Sequence, residues 1–205
     1  MNVEVDNNMA AVEKEDRLRA ETYLLLARLL EEPPNTDLLD QMVANLKGDE
    51  SPFGRTVNAL AAAAASPNHE ELRAEFHALF IGLDRGELVP YASHYIAGAL
   101  YSRPLAKLRT DMAELGIARA QQTSEPEDHI SALFEMMAGL ILGSFAHGPA
   151  SAAEQKEFFQ KHLLPWAPRL FADLEGAQSA VFYKPVGRLG RQFMEIERAA
   201  FDMVA

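Results

Sequence analysis

The chain has 205 residues, with 30 acidic against 19 basic side chains and a formal net charge of −11. Apolar types make up 48% and cysteine is absent, which excludes disulfide scaffolds, thiolate zinc sites, iron–sulfur clusters and cysteine nucleophiles. The charge argues against nucleic acid, whose affinity rests on Lys and Arg neutralising phosphates, and it suits a cationic partner. The length predicts one domain over residues 1–205, with residues 1–14 as a flexible tail. Residues 1–50 hold 12 acids and five bases, a charge of −7, for which a solvated helical face is the expectation. The N-terminus offers neither a basic leader nor an apolar core, so no secretory signal is expected. The most apolar long stretch, 133–145, contains Glu135 and falls short of the ~20 residues that span a bilayer. A soluble, cytoplasmic protein follows.

The pattern predicts helices from end to end. Leu18, Thr22, Leu25, Leu26 and Leu29 recur at helical spacing and Pro33-Pro34 closes the segment. Leu38, Leu39, Met42, Val43 and Leu46 follow, between a Thr36 cap and Gly48. Ser51-Pro52 and Ser66-Pro67 open two more helices, each with a serine cap and a proline where no intrahelical bond is lost. Residues 81–101 break the rhythm with three glycines, a proline and three tyrosines, which predicts a long connection carrying at most a short helix. Leu105, Leu108, Met112 and Leu115 resume the period up to Gly116. Ser124 and Glu127 fit a capping box, so the next helix is expected to start there, with Ile130, Leu133, Phe134, Met137, Leu140 and Ile141 inward and Gly148 at its end. Ser151 and Glu154 form another box before Phe158, Phe159 and Leu163. Trp166, Leu170 and Leu174 continue beyond Pro165, and Leu189, Phe193, Ile196 and Ala200 mark the last helix. No run alternates with period two. The expectation is an all-α single compact domain of about eight or more helices.

Enzyme signatures are missing. There is no glycine-rich dinucleotide or phosphate loop and no nucleophile elbow. Gly187 and Gly190 lie within a helical pattern, and no histidine follows a glutamate by three residues as a helical di-metal site requires. His69-Glu70-Glu71 begins like a zinc-protease motif, but Arg73 occupies the second histidine position. Two clusters remain. Glu125, Glu127, Asp128 and His129 fit first-turn acids favoured by the helix dipole, an acid–base pair, or a receptor for guanidinium groups. Asp128 and Glu135, seven apart, are expected on one helix face. Pro90-Tyr91-Ala92-Ser93-His94-Tyr95 fits either a turn whose tyrosines cover the core or a peptide-binding rim. The C-terminal bases Lys184, Arg188, Arg191 and Arg198 among Glu195, Glu197 and Asp202 suggest a salt-bridged face.

These clusters, in this order, resemble the TorD/DmsD family of redox-enzyme maturation chaperones. The carrying motifs are Phe76-His77-Ala78-Leu79-Phe80-Ile81-Gly82, Pro90-Tyr91-Ala92-Ser93-His94-Tyr95 and Glu125-Pro126-Glu127-Asp128-His129-Ile130, the last similar to the family's Glu-Pro-x-Asp-His signature. Leu164-Pro165-Trp166 is similar too, and the likeness runs over roughly residues 15–200. The resemblance implies a TorD-like fold and a cytoplasmic chaperone, not an enzyme, without cofactor or metal. Such a chaperone binds the twin-arginine signal peptide or apoprotein of a molybdenum-cofactor oxidoreductase, holding it for cofactor insertion before export. Formate dehydrogenase or a dimethyl sulfoxide or trimethylamine N-oxide reductase-type enzyme is the expected client. The resemblance further implies signal-peptide contacts at Asp128 and His129, with Glu125, Tyr91, Ser93 and Tyr95 as neighbours. One departure is Ala92-Ser93, where family members often carry Glu-Ser. A monomer is expected, with a domain-swapped dimer through 81–101 as the alternative. Competing readings are a NarJ-type assembly chaperone of a non-exported reductase, a helical metal-dependent hydrolase using Asp128 and His129, and an interaction scaffold without client specificity.

Overall fold

The computed structural model describes residues 3–66, 68–83, 85–118, 125–145 and 148–203, with side chains from Lys14 onward. Ten α-helices occupy them: α1 (Val3–Glu31), α2 (Thr36–Asn45), α3 (Pro52–Ala64), α4 (His69–Phe76), α5 (Ala92–Ala97), α6 (Arg103–Glu114), α7 (Ile130–Leu142), α8 (Ala152–Phe158), α9 (Ala167–Gly176) and α10 (Tyr183–Met203). Two π-helical turns, His77–Ile81 and Phe159–Leu163, prolong α4 and α8. Among the described residues there is no strand. An isolated bridge joins Tyr91 to His129, and among the described residues no helix is long and apolar enough to cross a membrane. The all-α expectation holds, and the 81–101 connection contains one short helix, α5.

Capping explains most helix starts. Ser51 accepts from the Gly54 N–H, and Ser151 and Glu154 form the expected reciprocal box. Elsewhere the cap shifts. Asn35, in extended backbone, accepts from the Leu38 N–H and leaves Thr36 inside α2; Asn68, not Ser66, caps α4. Pro67 and the Ser124 half of the second expected box lie outside the described residues. α7 starts at Ile130 rather than near residue 124, and Gly143, at φ +74°, ends it ahead of Gly148.

The core is built around α7, which buries ten of its residues from Ile130 to Ile141. A helix apolar over most of its circumference has to be covered there, and α1 packs along it. α1 presents Ala20, Tyr23, Leu26, Ala27 and Leu30 to the core, while Leu18, expected inward, is exposed. The Tyr23 ring meets Phe134 and Phe193 edge-on, at 5.1 and 4.7 Å. Its hydroxyl donates to Glu197 at 2.9 Å. Glu197, 1% exposed, also receives the Arg19 guanidinium in a bidentate pair at 2.8 and 2.9 Å. The C-terminal face is therefore only partly as expected. Arg188 and Arg191 pair with Glu175, and Arg191 with Glu195, at the surface, but Glu197 turns inward to tie α10 to α1. α9 and α10 approach closely because Gly187 and Gly190 have no side chain; a Cβ at Gly187 would lie 2.5 Å from the Glu175 backbone nitrogen.

The loop into α10 is held by acids from far upstream. Glu75 accepts from the N–H groups of Val181, Phe182 and Tyr183 at 2.7–3.1 Å. Glu87 accepts from Gln178 and Ser179 at 2.7 and 3.1 Å. Helix starts leave N–H groups without intrahelical partners; Glu75 satisfies those at the entry to α10, and Glu87 those of the turn before it.

Candidate functional site

The segment after Leu88 and the turn before α7 are far apart in sequence and meet as two short antiparallel stretches. The Ala92 N–H donates to the Asp128 carbonyl and the Ile130 N–H to the Pro90 carbonyl, both at 2.9 Å. Asp128 reinforces this crossing, because its Oδ2 accepts from the Ser93 N–H at 2.8 Å. Both residues are buried, Asp128 at 1% and Ser93 at 0% exposure, and among the described residues Asp128 Oδ1 has no hydrogen-bond partner. Backbone groups in this crossing find their partners across the chain rather than in an early turn of α7, which is why α7 begins at Ile130.

His129 caps α7. Its Nδ1 accepts from the Ser131 N–H at 3.3 Å and lies 2.6 Å from the Ser131 hydroxyl. Burial favours the neutral ring and lowers its pKa to about 4, against the pull of Glu125 and Asp128. The Tyr91 ring stands edge-on to the imidazole at 4.8 Å, and its hydroxyl donates to Glu125. Burial and then the Glu125 carboxylate raise the Tyr91 pKa, so the phenol stays a donor. Glu127 is engaged separately, by the Arg109 guanidinium at 2.8 and 3.1 Å.

Tyr91, Glu125 and His129 open onto a groove of about 490 Å³. Its walls include Phe76, Phe80 and Ile81 from the end of α4 and its π-helical turn, Leu24 from α1, and Met136 from α7. Two carboxylates not recognised together in the sequence, Glu31 and Glu135, also line it. Burial and then the Glu31 charge raise the Glu135 pKa. The groove is thus apolar in its walls and acidic around them. A guanidinium is well matched to such carboxylates through charge-assisted, often bidentate hydrogen bonds.

The six expected site residues separate into three positions. Tyr91, Glu125 and His129 line the groove. Asp128 and Ser93 lie beneath the surface and hold the crossing. Asp128 and Glu135 do not share a helix face, because Asp128 precedes α7. Tyr95 faces elsewhere: its hydroxyl donates to Asp173 at 3.1 Å, its ring lies 5.5 Å from Trp166, and Arg169 sits over it at 5.9 Å. Among the described residues no group of three or more His, Asp and Glu side chains is placed to hold a metal ion.

A family model described as nitrate reductase delta subunit matches residues 46–172, more than half of the chain. A chaperone protein TorD of Vibrio parahaemolyticus is 28% identical over 136 residues, which span 63% of this chain and 63% of that protein's length. A chaperone protein TorD of Aliivibrio fischeri is 29% identical over 200 residues, covering 87% of this chain and 92% of the relative. In fold, the chain is similar to the crystal structure of a putative redox enzyme maturation protein from Archaeoglobus fulgidus, with a TM-score of 0.60 and 20% identity over 87% of this chain and 94% of that one.

Proposed function

This chain belongs to the nitrate reductase delta subunit family, the TorD/DmsD-type redox-enzyme maturation chaperones, and from that premise we propose that it is a cytoplasmic, system-specific chaperone without catalytic activity. Its ligand is the twin-arginine signal peptide of a molybdenum-cofactor oxidoreductase, held with the apoprotein until the cofactor is inserted. Formate dehydrogenase and dimethyl sulfoxide or trimethylamine N-oxide reductase-type enzymes are the client classes we put forward.

The observation that carries this reading is the groove with Glu31, Glu125 and Glu135 around walls of Leu24, Phe76, Phe80 and Met136. A twin-arginine leader offers two guanidinium groups followed by an apolar segment, and the groove offers the complement of both. Glu125, aligned by the Tyr91 hydroxyl, accepts one guanidinium. Glu135, whose ionised form is disfavoured by burial and then by Glu31, gains from the arrival of the other. The apolar segment then covers the aromatic wall, where Met136 adapts its flexible thioether to the ligand. Asp128 and Ser93 act as positioning residues, because their bond fixes Tyr91 against His129.

Calorimetric titration tests this with a synthetic leader carrying the arginine pair and the same leader with lysines in its place. The arginine leader is expected to bind, more weakly as salt rises, and the lysine leader to bind less tightly because an ammonium lacks the bidentate fork. No binding, or equal binding of the two, overturns the reading.

The description of the matched family model favours one second reading, a NarJ-type assembly chaperone for a reductase that is not exported. Co-purification of a client lacking an arginine-pair leader, together with failure of the leader titration, distinguishes it.

A further inference from the structure

A second cavity, of about 670 Å³, opens between α5, α6 and the π-helical turn after α8. Its apolar part comes from Ile96, Leu108, Leu133 and Pro165, and Ile96 is 48% exposed. Arg103, Lys107 and Lys161 line it too, and all three are exposed. Two carboxylates in it are already engaged: Asp111 by His162 at 2.7 Å and Lys161 at 3.6 Å, and Asp128 by the Ser93 N–H. Arg103 and Lys107 are different. Among the described residues neither has a hydrogen-bonded or ion-paired partner.

Their placement runs against local helix physics. Arg103 is the first residue of α6, whose first turn holds no acid, although the positive end of a helix dipole disfavours a cation there. Lys107 follows four residues later, the spacing at which like charges repel. In a chain of net charge −11, two unneutralised cations stand beside an apolar cavity. At the neighbouring His162, burial lowers the pKa, Asp111 raises it, and the charges of Lys161 and Lys107 lower it by less.

We propose that this cavity docks an acidic amphipathic helix of the client's mature apoprotein. Its apolar face lies on the exposed Ile96, Ala97 and Pro165, and its carboxylates meet Arg103 and Lys107. Charge complementarity selects this occupant: the signal-peptide groove carries carboxylates and suits a basic leader, whereas this cavity carries free cations and suits an acidic segment. The identity of the partner rests on the chaperone reading, but the chemistry of the surface does not. One client chain is then gripped at two stations of opposite charge, which raises the effective concentration of each for the other.

The test uses the full chain and two synthetic helical peptides of about 15 residues. Both carry leucines at three- and four-residue spacing, flanked by glutamates in one and lysines in the other. Binding is followed by calorimetry and by the fluorescence of Trp166, the one tryptophan of the chain, whose indole N–H donates to the His162 carbonyl at 2.7 Å. The glutamate peptide is expected to bind and the lysine peptide not to. Arg103→Glu with Lys107→Glu weakens glutamate-peptide binding about tenfold or more. An acid at the start of α6 is favoured by the helix dipole, so this variant keeps its fold, and the arginine leader binds it as it binds wild type. Glu125→Gln has the opposite profile, weakening the leader and sparing the glutamate peptide. The proposal is overturned if the glutamate peptide fails to bind or binds the double variant equally. It is also overturned if inorganic phosphate displaces the peptide at equal concentration, which identifies a small-anion site, or if the peptide binds only by disrupting a dimer of the chain. Loss of leader binding alone overturns the groove reading and leaves this one standing.

Discussion

Substitution of Asp128 separates a residue that holds the site from one that touches the ligand. Asp128 is 1% exposed and its Oδ2 receives the buried Ser93 N–H at 2.8 Å. Asp128→Ala leaves that N–H without a partner, which costs about 2 kcal/mol and lowers the melting temperature by about 4–8 °C in a chain of this size. It also loosens the crossing that sets Tyr91 against His129, so leader affinity falls along with stability. Asp128→Asn keeps an acceptor oxygen of the same shape. It exchanges a charge-assisted bond for a neutral one and relieves the burial of a carboxylate whose Oδ1 has no partner among the described residues, so the two effects largely offset each other and stability changes by less than about 1 kcal/mol. Thermal unfolding and leader calorimetry on both variants read the two effects. The expected result is a nearly wild-type Asn variant and an Ala variant impaired in both. If Asp128→Asn melts as wild type but binds leader tenfold or more weakly, the carboxylate contacts the ligand itself and the positioning role is refuted.

Other consequences follow from the same geometry. Arg19→Ala leaves the Glu197 carboxylate, 1% exposed, with the Tyr23 hydroxyl but without its countercharge and costs about 3 kcal/mol in urea denaturation. Glu197→Ala lets Arg19 keep Asp16 at 2.6 Å but leaves the buried Tyr23 hydroxyl without its acceptor, and the double variant costs less than the sum of the two. His129 titrates at about 4 when folded and near 6.5 when unfolded. As pH falls through that window it is the unfolded chain that takes up the proton, so this residue's stability is complete above about pH 6.5. It is lost down to about pH 4, amounting to about 3 kcal/mol. His129→Asn keeps an N-cap acceptor and should flatten that part of the stability–pH curve relative to wild type. Gly187→Ala, which in an exposed helix gains about 1 kcal/mol, should here lose about 1–3 kcal/mol because its Cβ meets the α9 backbone.

Local chemistry carried the fold reading a long way. Ser51 before a proline and Ser151 three residues before a glutamate are complete signals within four residues, and both cap as expected. Asn35 and Asn68 outcompeted nearby Thr36 and Ser66 because several residues at those starts can cap, and only the entering backbone decides. The start of α7 at Ile130 differs from the capping-box expectation for another reason. The Glu125–Asp128 turn satisfies its backbone through Pro90 and Ala92, more than 30 residues away, and no local pattern contains that partner. The π-helical turns after α4 and α8 likewise interrupt a sustained apolar period without altering composition.

The site was legible in part. The motifs Phe76–Gly82, Pro90–Tyr95 and Glu125–Ile130 each supply side chains to the groove. What spacing left open was which side of the turn faces out. Asp128 is covered, Tyr95 pairs with Asp173, and Glu31 arrives from α1, separated by more than 90 residues from the other groove acids. Gly187 and Gly190, unusable as a phosphate loop, serve the contact between α9 and α10.

On the proposed function, a twin-arginine leader lies in the groove beside Glu125. A leader bearing a photoreactive side chain next to its arginine pair, cross-linked to the full chain and mapped by mass spectrometry, tests it most directly. Adducts are expected within residues 76–81, 90–91 and 125–136. Adducts confined to the far cavity, at 103–111 and 161–165, or none above those formed by a lysine-pair leader, would contradict it.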